Sequence, residues 1–167
     1  MTILPPVISD GAHMWQIARD SGTLDLNSSY AYLMMCRDFA RTSRLAWVDG
    51  RPAGFVIAYR RPARPDCLFV WQVAVDAAHR GHGIAARLLD DLVESELRDP
   101  SEPVLTVETT ITEDNLASRT LFRRFAERWD APLYTSDLFV AADFPDDHDG
   151  EPLIEIGPLT APRTDPA

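Results

Sequence analysis

The sequence predicts an α+β fold of the three-layer kind, in which a mixed and mostly antiparallel sheet is flanked by helices. Two neighbouring segments are the strongest indications. Residues 68–75 are rich in β-branched and aromatic side chains and too few for a typical helix, so they are predicted to form a buried central strand. From Ile84 to Leu97 the apolar residues recur at steps of three and four, which predicts an amphipathic helix after that strand.

The segments before the central strand are predicted to form an edge strand, two helices and a hairpin. Proline donates no ladder hydrogen bond, so Pro5 and Pro6 restrict the first strand to a sheet edge. Asp49-Gly50 suits the tight turn of a hairpin, where φ is positive. In chain order we predict a strand at 2–8, a helix at 10–19 capped by Asp10 with Trp15 and Ile17 in the core, a helix at 30–41 capped within 27–29, strands at 45–48 and 53–59, and a loop at 60–66.

The segments after the amphipathic helix alternate between strand and helix patterns. We predict a strand at 103–109, a helix at 114–129 capped by Asp114 or Thr112, and strands at 133–140 and 153–156. The length of 167 residues suits one domain with a single core, which we place at 1–157. Residues 158–167, with several Pro and Thr, are expected to be a flexible tail.

The charge of the chain is strongly one-sided. All 16 basic residues are arginine and stand against 26 carboxylates, a net charge of −10 that argues against nucleic-acid binding and suits a cationic substrate. No apolar run reaches membrane-spanning length and no signal-peptide pattern opens the chain, so we expect a cytoplasmic protein without membrane contact. Cys36 and Cys67 are interpreted as buried small hydrophobic residues rather than nucleophiles.

The turn between the central strand and the amphipathic helix has the features of a phosphate site. Gly81 and Gly83 stand at the predicted helix N-terminus, where backbone N–H groups and the helix dipole attract anions, and Arg80 adds positive charge. The spacing of Gly81, Gly83 and Ala86 also fits a dinucleotide fingerprint, with Glu102 as the ribose contact. That interpretation is disfavoured, because the fingerprint should follow its strand almost directly and open a long βαβαβ unit.

Two blocks together resemble the GCN5-related N-acetyltransferases. Arg80, Gly83 and Ala85 match the pattern of that family's acetyl-CoA pyrophosphate loop, and the later segment 115–122 is similar to its pantetheine-facing block. The resemblance implies the family's acyltransferase fold and acetyl-CoA as cosubstrate. It also implies that backbone N–H groups of 73–75 bind pantetheine and the thioester oxygen, with Val75 as the catalytic donor. The implied cofactor contacts are Val73, Val75, Arg80, Gly81, His82, Gly83, Ile84, Ala85, Asn115 and Phe122.

Acetyl transfer to an amine requires a proton acceptor, because an alkylammonium with a pKa of about 10 is almost wholly protonated at neutral pH. Glu108 is the candidate base, and a solvent-facing strand residue is the alternative interpretation. Many members of the family place a Tyr where Phe122 stands and use it to protonate the thiolate, so no general acid is assigned. His79 and His82, two histidines three residues apart, are weak evidence for a metal pair and are interpreted as polar turn residues, so no metal is expected.

A closer resemblance covers residues 11–157. The blocks 20–39, 69–75, 107–115 and 139–151 are similar to the diaminobutyrate acetyltransferases of ectoine biosynthesis. This implies transfer of acetyl to the 4-amino group of L-2,4-diaminobutyrate in a ternary complex. It also implies a homodimer, formed through the late strands. The implied substrate contacts are Asp25, Tyr30, Trp71 and Glu151. The alternatives are an acetyltransferase of another small diamine or a protein amine, and a catalytically silent acetyl-CoA sensor.

Overall fold

The computed structural model describes residues 1–22 and 24–160 and contains a seven-stranded sheet in the order β1-β2-β3-β4-β5-β7-β6. Neighbouring strands are antiparallel except for β4 and β5, which are parallel. The strands are β1 Thr2–Leu4, β2 Ser43–Val48, β3 Arg51–Arg61, β4 Arg64–Val75, β5 Thr106–Thr110, β6 Leu133–Phe139 and β7 Glu151–Ile156. The helices are α1 Gly11–Ser21, α2 Ser29–Asp38, α3 Ile84–Leu97 and α4 Leu116–Arg128.

The sheet lies between two apolar layers. On one face α3 and α4 pack over a cluster that includes Val56, Leu88 and Phe125, and on the other face α1 and α2 pack over a cluster that includes Met14 and Phe55. The predicted α+β three-layer arrangement is therefore confirmed. Within the described residues, no helix combines the length and the apolar character needed to cross a membrane.

The prediction of a loop at 60–66 is wrong, because β3 continues to Arg61 and β4 already begins at Arg64. The two strands form a hairpin closed by the pair Arg61↔Arg64. Pro65 is tolerated in β4 because it lies within a register shift, where regular ladder hydrogen bonds are interrupted.

A second register shift lies in the middle of β4. Ile57 pairs with Gln72 whereas the next residue, Ala58, pairs with Val70, so Trp71 is the extra residue of a β-bulge. Since side chains alternate along a strand, one extra residue exchanges the faces: Val70 lies in the α3/α4 core, whereas Ala74 lies in the α1/α2 core. The bulge therefore frees Trp71 from both cores.

Several element ends differ from the prediction. The first strand, predicted at 2–8, already ends at Leu4, because Pro5 and Pro6 follow it. The cap of α4 is Asn115, whose side chain accepts a hydrogen bond from the Ser118 N–H, rather than Asp114 or Thr112. Leu159, in the expected tail 158–167, is buried, and its N–H donates to the Leu105 carbonyl at 2.7 Å. The rest of that expectation, from residue 161 on, lies outside the described residues.

Candidate active site

The two parallel strands at the centre of the sheet separate along their length. Among the described residues their ladder consists of Cys67↔Thr106, Leu68↔Val107 and Phe69↔Glu108, and β4 then runs on to Val75 paired with β3. Beyond Phe69 the edge of β4 that faces β5 is no longer paired with β5. Unpaired backbone groups in such a gap are available to a ligand, because they need partners when water is excluded. This gap lies beside residues 73–75, whose backbone N–H groups were expected to bind pantetheine and the thioester oxygen.

The turn after β4 has the backbone geometry of an anion site. Gly81 and Gly83 have φ values of 80° and 72°, a region that L side chains rarely adopt, and Gly83 is the N-cap of α3. Arg80 crosses the turn and donates from Nε to the Val75 carbonyl at 3.2 Å and from Nη2 to the Ser21 carbonyl at 3.3 Å. The first N–H groups of α3 have no partners within the helix and are suited to an anion in the space between the turn and α4, which residues of both line.

A cavity of about 520 Å³ occupies that space. Eight of the ten predicted cofactor contacts line it: Val73, Val75, Arg80, Gly81, Gly83, Ile84, Ala85 and Asn115. His82 is exposed and its ring faces the His79 carbonyl, while Phe122 is buried and lines a neighbouring cavity instead. Sequence reasoning missed Arg124 and Arg128, which line this cavity from α4; their spacing of four residues on one helix face was a detectable signal.

A second cavity, of about 220 Å³, meets the first in the gap between β4 and β5. The two share the lining residues Leu24, Val73, Asn115 and Ser118. Three of the four predicted substrate contacts, Asp25, Trp71 and Glu151, line this second cavity together with Phe122. The fourth, Tyr30, is 67% exposed near the start of α2 and is not among the residues that line it.

A series of hydrogen bonds between polar side chains positions the backbone of Asp25. The Tyr32 hydroxyl donates to Gln72 Oε1 at 2.9 Å, and Gln72 Nε2 donates to the Asp25 carbonyl at 3.1 Å. Burial raises the pKa of Tyr32 above its usual value, which keeps the hydroxyl protonated as the donor. These hydrogen bonds tie the connector before α2 to the central strand, so the backbone of Asp25 is held at the mouth of the second cavity while its side chain is exposed.

The acidic loop after β6 brings a histidine to the same mouth. His148 Nε2 lies 3.3 Å from Asp25 Oδ2 and 3.6 Å from Glu151 Oε1, and its ring stacks on Phe144. The Asp149 carbonyl and then the Asp25 carboxylate raise the pKa of His148. Sequence reasoning missed His148, since nothing in the linear pattern distinguishes it from the rest of a solvated acidic run.

The predicted base, Glu108, lies in a different environment. Its carboxylate is 2% exposed and accepts hydrogen bonds from Arg61 at 2.9 Å and from Arg64 at 2.9 Å. It lines a third cavity, on the β6 side of Trp71, and is not among the lining residues of the second cavity. The interpretation of Glu108 as a solvent-facing residue is wrong, because an interior ion pair holds it. Trp71 and Thr110 line both cavities, so the cavity beside Glu108 adjoins the one beside Asp25 and Glu151.

Comparison with known proteins agrees with this geometry. Residues 12–126 match the model of the Acetyltransferase (GNAT) family. An L-2,4-diaminobutyric acid acetyltransferase of Streptomyces avermitilis is 53% identical, over 93% of this chain and 87% of the relative. Another from Marinococcus halophilus is 46% identical, over 93% of this chain and 88% of the relative.

Solved structures show the same relationship. The diaminobutyrate acetyltransferase EctA of Paenibacillus lautus, in complex with its substrate L-2,4-diaminobutyric acid and coenzyme A, superposes with a TM-score of 0.88 at 39% identity, covering 96% of each chain. The ribosomal-protein-S18-alanine N-acetyltransferase of Escherichia coli, at 18% identity and a TM-score of 0.68, shares the fold. This chain therefore belongs to the acetyltransferase (GNAT) family and, within it, to the L-2,4-diaminobutyric acid acetyltransferases.

Proposed function

We propose that this protein transfers the acetyl group of acetyl-CoA to the 4-amino group of L-2,4-diaminobutyrate by direct attack in a ternary complex. The product is N4-acetyl-L-2,4-diaminobutyrate, an intermediate of ectoine biosynthesis. The observation that carries the proposal is the pair of cavities that share a wall at Val73 and Asn115, one beside a phosphate turn and the other lined by carboxylates. Two reactants bound there would meet in the gap between β4 and β5.

The larger cavity suits acetyl-CoA. The pyrophosphate would accept hydrogen bonds from the N–H groups of the turn 80–85, and Arg124 offers a cation beside the same cavity. Arg128 also lines the cavity, but its guanidinium pairs with Asp90. The pantetheine arm would follow the freed side of β4, with an N–H of 73–75 donating to the thioester oxygen. Such a donor stabilises the developing oxyanion, and losing one typically costs about 3 kcal/mol of transition-state stabilisation. Because the proposed donor is the backbone N–H group of Val75, this role does not depend on the Val75 side chain.

The smaller cavity suits a short dicationic amino acid. Asp25 and Glu151 present carboxylates for the 2-ammonium group, and the exposed ring of Trp71 covers the aliphatic carbons. With the 2-ammonium held at the cavity mouth, the 4-amine reaches toward the shared wall. Regioselectivity follows, because one amine alone lies within attack distance of the thioester, about 3 to 3.5 Å. Tyr30 also remains a proposed substrate contact, supported by the family resemblance alone, since it is not among the residues that line this cavity.

The proton of the 4-ammonium must leave before attack. Glu151 lines the smaller cavity and its Oε2 accepts a hydrogen bond from the Thr110 hydroxyl. Glu108 lines the adjoining cavity with its oxygens bound by Arg61 and Arg64, so as a base it acts through water. Because Glu151 holds the 2-ammonium at the cavity mouth, Glu108 remains the proposed base for the 4-ammonium.

A coupled assay of CoA release tests the proposal. Diaminobutyrate, ornithine, lysine and a blank without amine are compared at saturating acetyl-CoA, and the fastest release is expected with diaminobutyrate. Equal release with ornithine or lysine would favour an acetyltransferase of broader amine specificity. Binding of acetyl-CoA with no amine-dependent release would favour the catalytically silent sensor and would refute the enzyme assignment.

The Asp25→Asn substitution separates the two halves of the site. It removes the charge that faces the 2-ammonium, so we expect the KM for diaminobutyrate to rise about tenfold or more, whereas the KM for acetyl-CoA changes little. Asp20→Asn is the matched control, because Asp20 pairs with Arg19 on the surface of the same region. An equal rise of both KM values in Asp25→Asn would remove Asp25 from the substrate clamp.

We also propose a homodimer that forms through β6, in which each subunit is one N-acetyltransferase domain of residues 1–157. All seven residues of this edge strand are exposed, including Leu133, Tyr134, Leu138 and Phe139. A long apolar edge strand is normally covered by another chain, because its free backbone groups otherwise promote aggregation. Sedimentation analysis should give a dimer that Leu138→Arg dissociates. The proposed location is the cytoplasm, where the two free thiols stay reduced.

A further inference from the structure

Three side chains at the mouth of the smaller cavity have the composition and spacing of a metal site. The ligand atoms of Asp25, His148 and Glu151 all lie within 4.8 Å of one another. His148 Nε2 is 3.3 Å from Asp25 Oδ2 and 3.6 Å from Glu151 Oε1. Two ligand atoms on a tetrahedral Zn²⁺, each about 2.1 Å from the metal, stand about 3.4 Å apart. The two separations from His148 therefore match those of ligand atoms that share a tetrahedral ion.

The imidazole presents the correct nitrogen. His148 Nδ1 lies 2.6 Å from the Asp149 carbonyl oxygen, which can only accept a hydrogen bond, so Nδ1 carries the proton. In the neutral ring the lone pair is therefore on Nε2, the atom that faces both carboxylates. A carbonyl oxygen bound to the other ring nitrogen is the usual outer partner of a metal-binding histidine, because it sets the tautomer and the ring orientation.

The surroundings orient two of the three ligands in advance. The His148 ring stacks on Phe144, with centroids 4.2 Å apart. The second oxygen of Glu151 accepts from the Thr110 hydroxyl, which leaves Oε1 directed at His148. The Asp25 side chain is 86% exposed and can turn toward an ion without displacing other groups. One imidazole and two carboxylates, with an open fourth position, suit a transition metal better than Mg²⁺ or Ca²⁺, which prefer oxygen ligands.

We propose that Asp25, His148 and Glu151 bind a divalent transition metal ion of the Zn²⁺ class, and that the bound ion excludes the amine substrate. The site is inhibitory rather than catalytic, so the expectation of a reaction without metal is unaffected. The competition rests on the proposed function, in which Asp25 and Glu151 hold the 2-ammonium. The metal site itself does not. Inhibition by Zn²⁺ is therefore expected to be competitive with diaminobutyrate and non-competitive with acetyl-CoA.

Calorimetric titration with ZnCl₂ alone tests the site without turnover. The wild-type protein should bind one ion per chain, and His148→Ala should weaken the affinity by at least tenfold, since even the loss of an outer-shell partner typically costs about 10- to 100-fold. Asp147→Asn is the matched control: it removes a neighbouring negative charge without removing a ligand, and its affinity should stay within about twofold of wild type. Glu151→Gln, a variant of nearly the same shape, guards against misfolding of His148→Ala.

The outcomes distinguish the metal site from the proposed reaction. Absence of Zn²⁺ binding, or equal binding by wild type, His148→Ala and Glu151→Gln, overturns the metal site. Co²⁺ provides a second readout, because a tetrahedral site gives it an intense visible absorption that His148→Ala should abolish. Zn²⁺ that remains bound at saturating diaminobutyrate overturns the competition. A protein that binds Zn²⁺ as described and acetylates no amine refutes the proposed function and leaves the metal site intact.

Discussion

Replacement of Gly83 by alanine tests whether the turn before α3 is the acetyl-CoA phosphate site. Gly83 has a φ of 72°, and a Cβ added there meets nothing within 4 Å, so the substitution introduces backbone strain without a steric clash. An L residue in the left-handed region costs about 1–2 kcal/mol. In the free variant this exposed turn can relax and avoid the strain. Binding of acetyl-CoA then requires the native backbone conformation at the N-cap, so the strain weakens binding. We expect the Kd for acetyl-CoA to rise about 5- to 30-fold.

Gly50→Ala is the matched control. Gly50 has a φ of 74° and also leaves a Cβ free of contacts within 4 Å, but it closes the hairpin between β2 and β3, remote from both cavities. Paired strands on either side hold that turn, so the same strain of about 1–2 kcal/mol should lower the free energy of unfolding instead. The Kd for acetyl-CoA should not change.

The assay is calorimetric titration of each variant with acetyl-CoA, alongside thermal unfolding with and without the ligand. Gly83→Ala should lose part of the stabilisation that acetyl-CoA confers on the wild type, because a weaker ligand shifts the folding equilibrium less at the same concentration. An unchanged Kd in Gly83→Ala, or an equal rise of Kd in Gly50→Ala, would refute the assignment of the turn to the pyrophosphate.

Two further predictions concern the interior. Glu96, with a side chain 1% exposed, binds Arg60 at 2.7 Å and Arg41 at 3.2 Å, so Glu96→Gln leaves cations without their partner and should lower the free energy of unfolding by about 2–3 kcal/mol in a denaturant titration. Glu94→Gln, which breaks an exposed pair with Arg98 on the same helix, should cost less than about 0.5 kcal/mol; equal losses would contradict the role given to Glu96. Burial raises the pKa of Cys36 to about 11 and that of Cys67 to about 12, so a disulfide reagent at pH 8 should label neither thiol until the protein unfolds. Rapid labelling of the native protein would show that these thiols are not buried as described.

Local patterns predicted the cofactor half of the site well. The turn 80–85 and the start of α3 depend on glycines, on one arginine and on a helical apolar repeat, all within a short stretch of chain. Such features follow from the conformational preferences of neighbouring residues. The Asp49-Gly50 hairpin was predictable for the same reason, whereas the burial of both cysteines followed from the general preference of free cysteine for protein interiors.

The amine half was predicted less completely, because its members come from distant segments. Asp25 and His148 are 123 positions apart, and they meet since Gln72 ties the first connector to β4 while β7 carries the acidic loop beside β5. Glu108 looked available as a base in the sequence, but the hairpin that replaces the predicted loop at 60–66 brings Arg61 and Arg64 onto it. No pattern of neighbouring residues contains that information.

The sequence by itself determined the layered fold, the phosphate turn and, through its resemblance to known acetyltransferases, the class of reaction to expect. The tertiary structure alone decided which carboxylates line the substrate cavity, that Glu108 lines an adjoining cavity instead, and that His148 joins Asp25 at the cavity mouth. The physical reason is that turns and helices follow from local backbone preferences, whereas strand register, the separation of β4 from β5 and ion pairing depend on how the whole sheet packs.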